Sequence, residues 1–189
     1  MERMTAGQTQ IVLEQGDITR QKADAIVNAA NTGLRAGAGV CGAIHSAAGR
    51  DLARECDAIR SGRAPQPACP TGSAAITGAG AMQDVSYVIH AAGPIWRGGG
   101  EGEDELLRSA YLSSLQLAAA NGVKTIAFPS ISTGIYGFPI ERAARLALST
   151  VRDYALKQDQ LSEIRFILFT NADFEVYKMA MEAVSAPSP

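Results

Sequence analysis

A glycine-rich segment that contains a thiol is the first part of the sequence with residue types suited to chemistry. Gly37, Gly39 and Gly42 form a Gly-x-Gly-x-x-Gly pattern, and Cys41 lies inside it at the predicted start of a helix. Glycines allow a backbone to approach a phosphate closely, and a helix N-terminus favours negative charge. It also favours the thiolate form of a cysteine, although small buried cysteines are common. The segment therefore predicts one wall of a phosphate-binding site with a thiol beside it.

The glycine spacing is also that of a nicotinamide-dinucleotide fingerprint, but its surroundings do not fit one. That fingerprint directly follows a strand, and a second strand ending in an acid comes after its helix. Here a long stretch separates the predicted strand at 23–30 from Gly37, and a Pro-rich loop at 60–72 follows the helix. A separate substrate domain would hardly fit in 189 residues. The sequence therefore disfavours an NAD-dependent oxidoreductase.

A second small-residue loop, PSISTGIYGFP at 129–139, can also surround an anion. It offers backbone amides and hydroxyls in a concave nest, at Ser130, Ser132, Thr133, Gly134 and Gly137, and a helix follows it. Tyr136 lies at the loop tip, where a large ring can close over a ligand. The sequence contains no P-loop motif, which argues against NTP hydrolysis. An ordinary strand-to-helix loop with a surface tyrosine is the alternative.

Polar and aromatic residues at strand ends give further candidate contacts. The carboxylate of Asp17 in GDIT can accept a hydrogen bond from an exocyclic amine such as adenine N6, or it can cap a turn with Thr19. Asn31 can bind sugar hydroxyls or form a turn. Phe169 closes a predicted strand, where its ring can stack on a base or pack in the core.

A metal site has little support. Cys41 and His45 have i, i+4 spacing, but Cys56 lies eleven residues beyond His45, which spans roughly 16 Å on a straight helix. His90 ends a strand and is interpreted as a hydrogen-bonded structural histidine. No acid is positioned by the sequence to complete a serine triad. We therefore expect no metal and no serine hydrolase chemistry.

The elements that must position these residues alternate between strands and helices. The pattern predicts strands at 9–16, 23–30, 73–77, 85–92, 125–131 and 163–170, and helices at 39–60, 104–120, 139–157 and 172–184. This order implies an α/β fold with helices on both faces of one sheet. The connection between the two opening strands is too short for a crossover helix, so we expect a mixed sheet. Ligands then bind at the carboxyl ends of the strands.

Composition excludes several classes of protein. The net charge is -2 with no run of Lys or Arg, so nucleic-acid binding is poorly supported. No apolar run approaches the roughly 20 residues of a membrane span, and the N-terminus has no signal-peptide character. Three cysteines without a Cys-x-x-Cys pair suit a reducing cytoplasm. We expect one cytoplasmic, monomeric domain at 9–185, with flexible ends at 1–8 and 186–189.

An ordered set of motifs carries a family resemblance. From about residue 10 to 184 the chain contains GDIT, IVNAAN, G-x-G-V-x-G-AIH-x-AAG, CPTG, HAAGPIW and PSISTGIYGFP. In this order they resemble the macrodomain family, and within it the MacroD-type branch, which includes bacterial deacetylases of O-acetyl-ADP-ribose. The resemblance implies a three-layer α/β/α sandwich with a mixed central sheet and a cleft for ADP-ribose.

The resemblance also implies roles for particular residues. It puts Asp17 on the adenine amine with the backbone of Ile18 beside it, Phe169 against the adenine ring, and Asn31 on the distal ribose. It assigns the diphosphate to two walls, formed by Gly39 and Val40 on one side and by Ser132, Thr133, Gly134, Ile135 and Tyr136 on the other. It implies no cofactor and no metal. The partners that it implies are ADP-ribosylated proteins or O-acetyl-ADP-ribose.

Two departures from the family pattern bear on function. Ala36 and Ala38 interrupt a run that is usually all glycine, and Cys41 replaces an aspartate implicated in activating water. A left-handed backbone at either alanine would cost roughly 1 kcal/mol or more. We expect a hydrolase of ADP-ribose conjugates with weakened activity, in which Asn31, Cys41 and Tyr136 serve catalysis. The alternative is a reader that binds ADP-ribose without cleaving it.

Overall fold

A seven-stranded sheet is the centre of the structure, a computed structural model that describes residues 1–186. The strands are β1 (Glu2–Ala6), β2 (Thr9–Gln15), β3 (Ala23–Ala30), β4 (Ala74–Gly78), β5 (Val85–Ala92), β6 (Thr125–Phe128) and β7 (Glu163–Leu168). The helices are α1 (Gly39–Arg63), α2 (Glu103–Ala120), α3 (Ile140–Ala155) and α4 (Asn171–Ser185). A short 3-10 turn at Ile18–Arg20 follows β2. The order of elements agrees with the alternation in the sequence.

The sheet is mixed, as predicted, but for a different reason. Its strand order is β1-β2-β7-β6-β3-β5-β4, and the five inner strands are parallel. The antiparallel pairs are β1 with β2 and β4 with β5, which lie at the two edges. The strands β2 and β3 are not neighbours, because β7 and β6 lie between them. The short connection therefore crosses two strands and does not form a hairpin.

Helices cover both faces of the sheet, which gives the predicted three layers. The period-two alternation along β3 sends Ala25 and Val27 to one face and Ile26 and Ala30 to the other. The first face packs against α2, α3 and α4, with Tyr111, Phe128, Phe166 and Tyr177 among its largest side chains. The second face packs against α1 alone, through Ile44, Ala48, Leu52 and Cys56. None of the helices in residues 1–186 is both long enough and apolar enough to cross a membrane.

The long helix α1 bends at Gly49. This residue has φ 73° and ψ −156°, which interrupts the helix and divides it into two segments. The carbonyl of Ala48 accepts a hydrogen bond from Ala81 N at 2.9 Å. A side chain on Gly80 would collide with that carbonyl, so the loop after β4 needs glycine there to approach α1. The two halves of α1 therefore point in different directions, which the periodicity over 39–60 did not indicate.

The predicted flexible end at residues 1–8 is wrong. Residues Glu2–Ala6 form β1, and each of them pairs with a residue of β2, from Glu2 opposite Leu13 to Ala6 opposite Thr9. The turn between the strands contains Gly7 at φ +60°, the left-handed conformation that tight hairpins require. The sequence ERMTA has too few apolar residues to predict an edge strand by itself. The other predicted flexible end, 186–189, lies outside the described residues except for Ala186, which follows α4 directly.

Candidate active site

A cleft of about 850 Å³ opens at the carboxyl ends of the parallel strands. Its walls come from the segments that follow β2, β3, β6 and β7, together with the start of α1. All twelve residues predicted to form a site border this cleft: Asp17, Ile18, Asn31, Gly39, Val40, Cys41, Ser132, Thr133, Gly134, Ile135, Tyr136 and Phe169. The structure thus brings together residues that are more than 150 positions apart in the sequence.

Asp17 both caps a turn and borders the cleft. Its Oδ1 accepts hydrogen bonds from Thr19 N at 2.9 Å and from Thr19 Oγ1 at 2.7 Å. The hydrogen bond from the Thr19 hydroxyl, with that from the Thr19 backbone, lowers the pKa of Asp17 below its ordinary value. Arg20 Nε lies 3.8 Å from Oδ2. The carboxylate is therefore ionised at neutral pH and held in one orientation at the cleft wall.

Phe169 presents an exposed ring at the end of the neighbouring strand, because β2 and β7 are paired up to Gln15 and Leu168. The strand β7 ends at Leu168, and the Phe169 side chain that follows is 78% exposed. The alternative that Phe169 packs in the core is therefore wrong. Because each base of a nucleotide has an apolar face, an exposed aromatic ring beside a cleft offers a surface on which a base can stack.

The loop over 129–136 is held in a strained conformation. Ser132 has φ +67°, which is unfavourable for a residue with a side chain. Hydrogen bonds support the turn, from Phe138 N to Ser132 O at 3.0 Å and from Gly137 N to Gly134 O at 2.9 Å. The Ser132 hydroxyl is buried and has no hydrogen-bond partner within the described residues. A buried hydroxyl of this kind at a cleft wall is well placed to accept a ligand as its partner.

Gly93 supports this loop and was missed by the sequence analysis. It follows β5 directly and lines the cleft. A side chain at Gly93 would overlap Ser132 Oγ and would lie 2.6 Å from Ile131 Cγ2. The only signal in the sequence was a glycine at the end of an apolar strand, in HAAG. Such a glycine often marks the close approach of another backbone segment.

Asn31 uses its side chain to shape the segment after β3. Its Oδ1 accepts hydrogen bonds from Gly33 N at 3.2 Å and from Arg35 N at 3.1 Å. Its Nδ2 donates to Arg35 O at 2.7 Å. The predicted turn role of Asn31 is confirmed, and the turn uses most of its hydrogen-bonding capacity. Asn31 also borders the cleft.

The alanines in the glycine-rich segment cause no backbone strain. Neither Ala36 nor Ala38 has a positive φ, and Ala38 precedes α1 with φ −92°. Gly39 has φ +61°, and it is the residue at which this segment needs glycine for its conformation. Gly42 is needed for a different reason, because a side chain there would overlap the carbonyl of Gly37. The segment therefore keeps its shape although two glycines of the usual run are absent.

Cys41 lies at the inner end of the cleft. Its side chain is buried, its Sγ donates to Arg35 O at 3.5 Å, and Asn28 Nδ2 donates to Sγ at 3.6 Å. Burial raises the pKa of the half-buried Tyr136, and the proximity of Cys41 adds to that rise. A thiol in this position is a weak hydrogen-bond donor and acceptor, unlike a carboxylate, which accepts strongly. The residue at this position therefore contributes no carboxylate to the inner end of the cleft.

A buried polar cluster lies behind Cys41, under α1. His90 Nδ1 lies 3.1 Å from Asn28 Nδ2, and His90 Nε2 lies 2.9 Å from Thr77 Oγ1. Because the amide of Asn28 donates, the hydrogen of the imidazole is assigned to Nε2. Burial lowers the pKa of His90 to about 4, with a smaller effect from His45. The interpretation of His90 as a hydrogen-bonded structural histidine is confirmed.

The expectation that Cys56 lies too far from His45 to share a ligand is wrong. One ligand atom from each of His45, Cys56 and His90 lies within 4.8 Å of the other two. The estimate of 16 Å assumed a straight helix, but the bend at Gly49 turns the second half of α1 back toward the first. The structure thus groups three residues that the sequence kept apart.

Comparison with known proteins identifies the family. Residues 27–147 match the family model of the macro domain, and this match covers more than half of the chain. A macro domain-containing protein of Caldanaerobacter subterraneus is 57% identical over 172 residues, which make up 91% of this chain and 95% of that protein. The chain belongs to the macro domain family.

Two further relatives are informative. An O-acetyl-ADP-ribose deacetylase of Escherichia fergusonii is 49% identical over 163 residues, which cover 86% of this chain and 90% of that enzyme. The structure of the Oceanobacillus iheyensis macrodomain with ADP has a TM-score of 0.92 at 34% identity, covering 97% of this chain and 95% of that one. The α/β fold predicted from the motifs is therefore that of a macrodomain.

Proposed function

We propose that the cleft binds ADP-ribose and that the protein hydrolyses ADP-ribose conjugates, by removing mono-ADP-ribose from proteins or by deacetylating O-acetyl-ADP-ribose. The observation that carries the proposal is the convergence of twelve predicted contact residues, from separate segments, on one cleft of about 850 Å³. This volume is typical of ligand sites. The relative from Escherichia fergusonii is named as an O-acetyl-ADP-ribose deacetylase, which supports the proposed substrate class.

The adenine binds between Asp17 and Phe169. The ionised Asp17 carboxylate accepts a hydrogen bond from the exocyclic amine, while the backbone of Ile18 lies beside it. The exposed ring of Phe169 stacks on the base. The solved structure of the Oceanobacillus iheyensis macrodomain holds ADP, a ligand with the same adenine and diphosphate groups.

The diphosphate binds between the start of α1 and the loop at 132–136. No side chain caps α1, so the first backbone N–H groups of the helix are free to bind an anion. Gly39, in its left-handed conformation, brings these groups to the cleft. The strained turn at Ser132 aims the amides of the opposite loop at the same place, and its unpartnered hydroxyl adds a donor.

The distal ribose binds at the inner end, near Asn31, Cys41 and Tyr136. Hydrolysis there requires an oriented water and a base that takes its proton. Cys41 offers no carboxylate at this position, so the diphosphate of the ligand itself accepts the proton from a water held close to it. Positioning of that water supplies most of the acceleration. Losing a general base typically costs about 10²–10⁴-fold in rate, so the activity is weak.

A reader that binds ADP-ribose without cleaving it is the second candidate. The observation that favours it is the engagement of the Cys41 thiol, which is buried and hydrogen-bonded to Arg35 O and Asn28 Nδ2. A thiol that already makes these two hydrogen bonds contributes little to the deprotonation of an attacking water. Both candidates require binding of ADP-ribose.

Replacement of Cys41 by aspartate tests the proposal. We expect Cys41→Asp to raise turnover by about 10-fold or more, because a carboxylate restores a general base at the inner end of the cleft. Release of ADP-ribose is measured with mono-ADP-ribosylated protein and with O-acetyl-ADP-ribose as substrates. Cys41→Asn is the matched control, because asparagine has the size of aspartate without its charge.

Binding of ADP-ribose is measured by calorimetry on the same three proteins. If ADP-ribose binds but neither the native chain nor Cys41→Asp turns over either substrate, the protein is a reader of ADP-ribose and the proposed hydrolase activity is wrong. If ADP-ribose does not bind to the native chain, both candidates are wrong.

A further inference from the structure

The chain concentrates its soft metal-ligating side chains in one place. It has two histidines and three cysteines, and the other four of these residues lie around His90. Cys56 Sγ is 3.8 Å from His90 Nε2, Cys69 Sγ is 3.5 Å from His90 O, and Cys41 reaches the same imidazole through Asn28. His45, Cys56 and His90 lie between α1 and the sheet and do not line the cleft, whereas Cys41 borders it.

We propose that His45, Cys56 and His90 form a zinc site that fastens the two halves of α1 to strand β5. Their ligand atoms lie within 4.8 Å of one another. Imidazole nitrogen and thiolate sulfur are ligands that Zn²⁺ prefers. Many zinc sites have three protein ligands and an oxygen as the fourth ligand. The hydroxyl of Thr77, 2.9 Å from His90 Nε2, is the oxygen nearest to the fourth position.

The geometry of the cluster requires a small contraction. With zinc–nitrogen bonds near 2.0–2.1 Å and a zinc–sulfur bond near 2.3 Å, tetrahedral ligand atoms lie about 3.4–3.6 Å apart. Cys56 Sγ and His90 Nε2, at 3.8 Å, already fit this spacing closely. His45 supplies the remaining movement because its residue is only partly buried.

Two unpartnered buried atoms support a ligand at this place. His45 Nε2 is buried with no hydrogen-bond partner in the described residues, and so is Asn28 Oδ1. A zinc ion bound through this nitrogen would give His45 Nε2 its partner. It also displaces the hydrogen from His90 Nε2 to Nδ1, and if the Asn28 amide turns over, Oδ1 accepts that hydrogen. Such a hydrogen bond to the second nitrogen is the usual support of a zinc-bound histidine.

Charge and proton balance are consistent with one divalent ion. Zinc binds the two neutral imidazoles and the Cys56 thiolate, and the thiol proton is released to solvent. The nearby cation Arg60 is paired with Asp57, so it does not face the ion as an uncompensated charge. The product carries one positive charge, which the hydroxyl of Thr77 and the carbonyl of Asn28 solvate.

The zinc site would connect the two halves of α1 to each other and to β5. His45 precedes Gly49 and Cys56 follows it, whereas His90 belongs to β5. The first half of α1 also carries Gly39 and Cys41, which border the cleft. Zinc therefore stabilises the helix that forms one cleft wall, and it does so without contact with the ligand.

Cobalt(II) provides the direct test, because a tetrahedral cobalt site with a thiolate ligand absorbs in the visible range and has a sulfur-to-metal charge-transfer band in the near ultraviolet. Chelator-treated protein is titrated with Co²⁺ alone, and a second sample is refolded from denaturant in its presence. We expect the charge-transfer band to saturate at about one ion per chain and to disappear when Zn²⁺ is added.

Matched variants assign the ligands. Cys69→Ser removes another buried thiol near His90 and should keep the band, whereas Cys56→Ser should lose it. If Cys56→Ser does not fold, His45→Gln at the partly exposed position should weaken zinc binding by at least about tenfold. The absence of a thiolate band in both native samples overturns the proposal, and so does an equal band in Cys56→Ser or unchanged zinc affinity in His45→Gln.

Discussion

At the scale of single residues, the two ends of the cleft differ in what they demand of a side chain. The proposed hydrolysis needs a particular chemical group at the inner end, where Cys41 has a thiol that is hydrogen-bonded to Arg35 O and Asn28 Nδ2. The proposed binding of adenine needs only a flat apolar surface at the outer end, which the exposed ring of Phe169 provides. Substitutions at the inner end should therefore change rates, and those at the outer end should change affinity.

Phe169→Ala should weaken ADP-ribose binding by about 5- to 150-fold, because stacking of a base on an aromatic ring contributes about 1–3 kcal/mol. The side chain is 78% exposed, so the free energy of unfolding should change by no more than about 0.5 kcal/mol. Calorimetry with ADP-ribose and urea unfolding measure the two effects.

Met179→Ala is the matched control for Phe169→Ala. Met179 is another exposed large apolar side chain, 59% exposed on α4, and it does not line the cleft. Equal affinities for Phe169→Ala and Met179→Ala would show that the ring does not stack on the ligand.

At the scale of elements, close approach between backbone segments shapes the cleft. The loop after β6 packs against the end of β5. Gly93 has no side chain, and this leaves space for Ser132. The start of α1 approaches the preceding loop in the same way, because Gly42 lies against the carbonyl of Gly37. The cleft therefore depends on contacts between elements as well as on the residues that border it.

Gly93→Ala should weaken ADP-ribose binding by about tenfold or more and lower the free energy of unfolding by about 1–3 kcal/mol, because the added methyl group displaces Ser132 and Ile131. Calorimetry and urea unfolding again provide the measurements. Gly100→Ala is the control, because a methyl group there meets no atom within 4 Å and its φ is not positive. If Gly93→Ala binds ADP-ribose as the native chain does, the loop does not depend on this close approach.

At the scale of the whole molecule, a buried polar cluster lies between α1 and the sheet. Period-two alternation directs Asn28, Thr77 and His90 to the face that α1 covers, and Asn28 and His90 are opposite each other in the β3–β5 register. Burial of His90 lowers its pKa to about 4, so the folded protein keeps this imidazole neutral. The cluster therefore links the stability of the entire domain to pH.

The free energy of unfolding should fall as pH decreases from about 6.5 to about 4. Between these values the unfolded chain protonates His90 at its ordinary pKa near 6.5, whereas the folded protein does not. Unfolding then takes up a proton, which stabilises the unfolded state by up to about 3 kcal/mol at the lower end of the range. His45, whose pKa is also lowered by burial and by Arg60, acts in the same direction.

Urea unfolding at a series of pH values, with a metal chelator present, measures this dependence. The carboxylates with lowered pKa values, Asp17, Asp24 and Glu103, lose their contribution mainly below about pH 4.5, so pH 5–6.5 isolates the histidines. His45→Gln separates the two histidines, since it leaves only the contribution of His90. A free energy that stays constant from pH 6.5 to 5 in the native chain would contradict the prediction.

The sequence by itself determined the order of the elements from residue 9 onward and the identity of the segments around the cleft. Apolar periodicity and turn residues act between near neighbours in the chain, so they indicated the helices and the inner strands. Motif order predicted the residues at the cleft, from Asp17 to Phe169. It also identified Cys41 as the departure from the family pattern that bears on the proposed hydrolysis.

Only the tertiary structure decided what depends on contacts between distant segments. It made an edge strand of residues 2–6, which gain their stability from pairing with β2 and not from their own apolar character. It placed the antiparallel pairs at the edges of the sheet. It also assigned Gly93 to the support of the Ser132 loop, through an approach of two backbones that no local pattern encodes.

The bend at Gly49 shows most clearly the difference between what the sequence predicts and what the tertiary structure determines. A helical periodicity continues through residues 39–60, so the sequence predicted a straight helix and a large distance between His45 and Cys56. The bend accompanies packing against the loop at Gly80 and Ala81, where Ala81 N donates a hydrogen bond to the Ala48 carbonyl. The grouping of His45, Cys56 and His90 is therefore a property of the folded chain, although each residue was visible in the sequence.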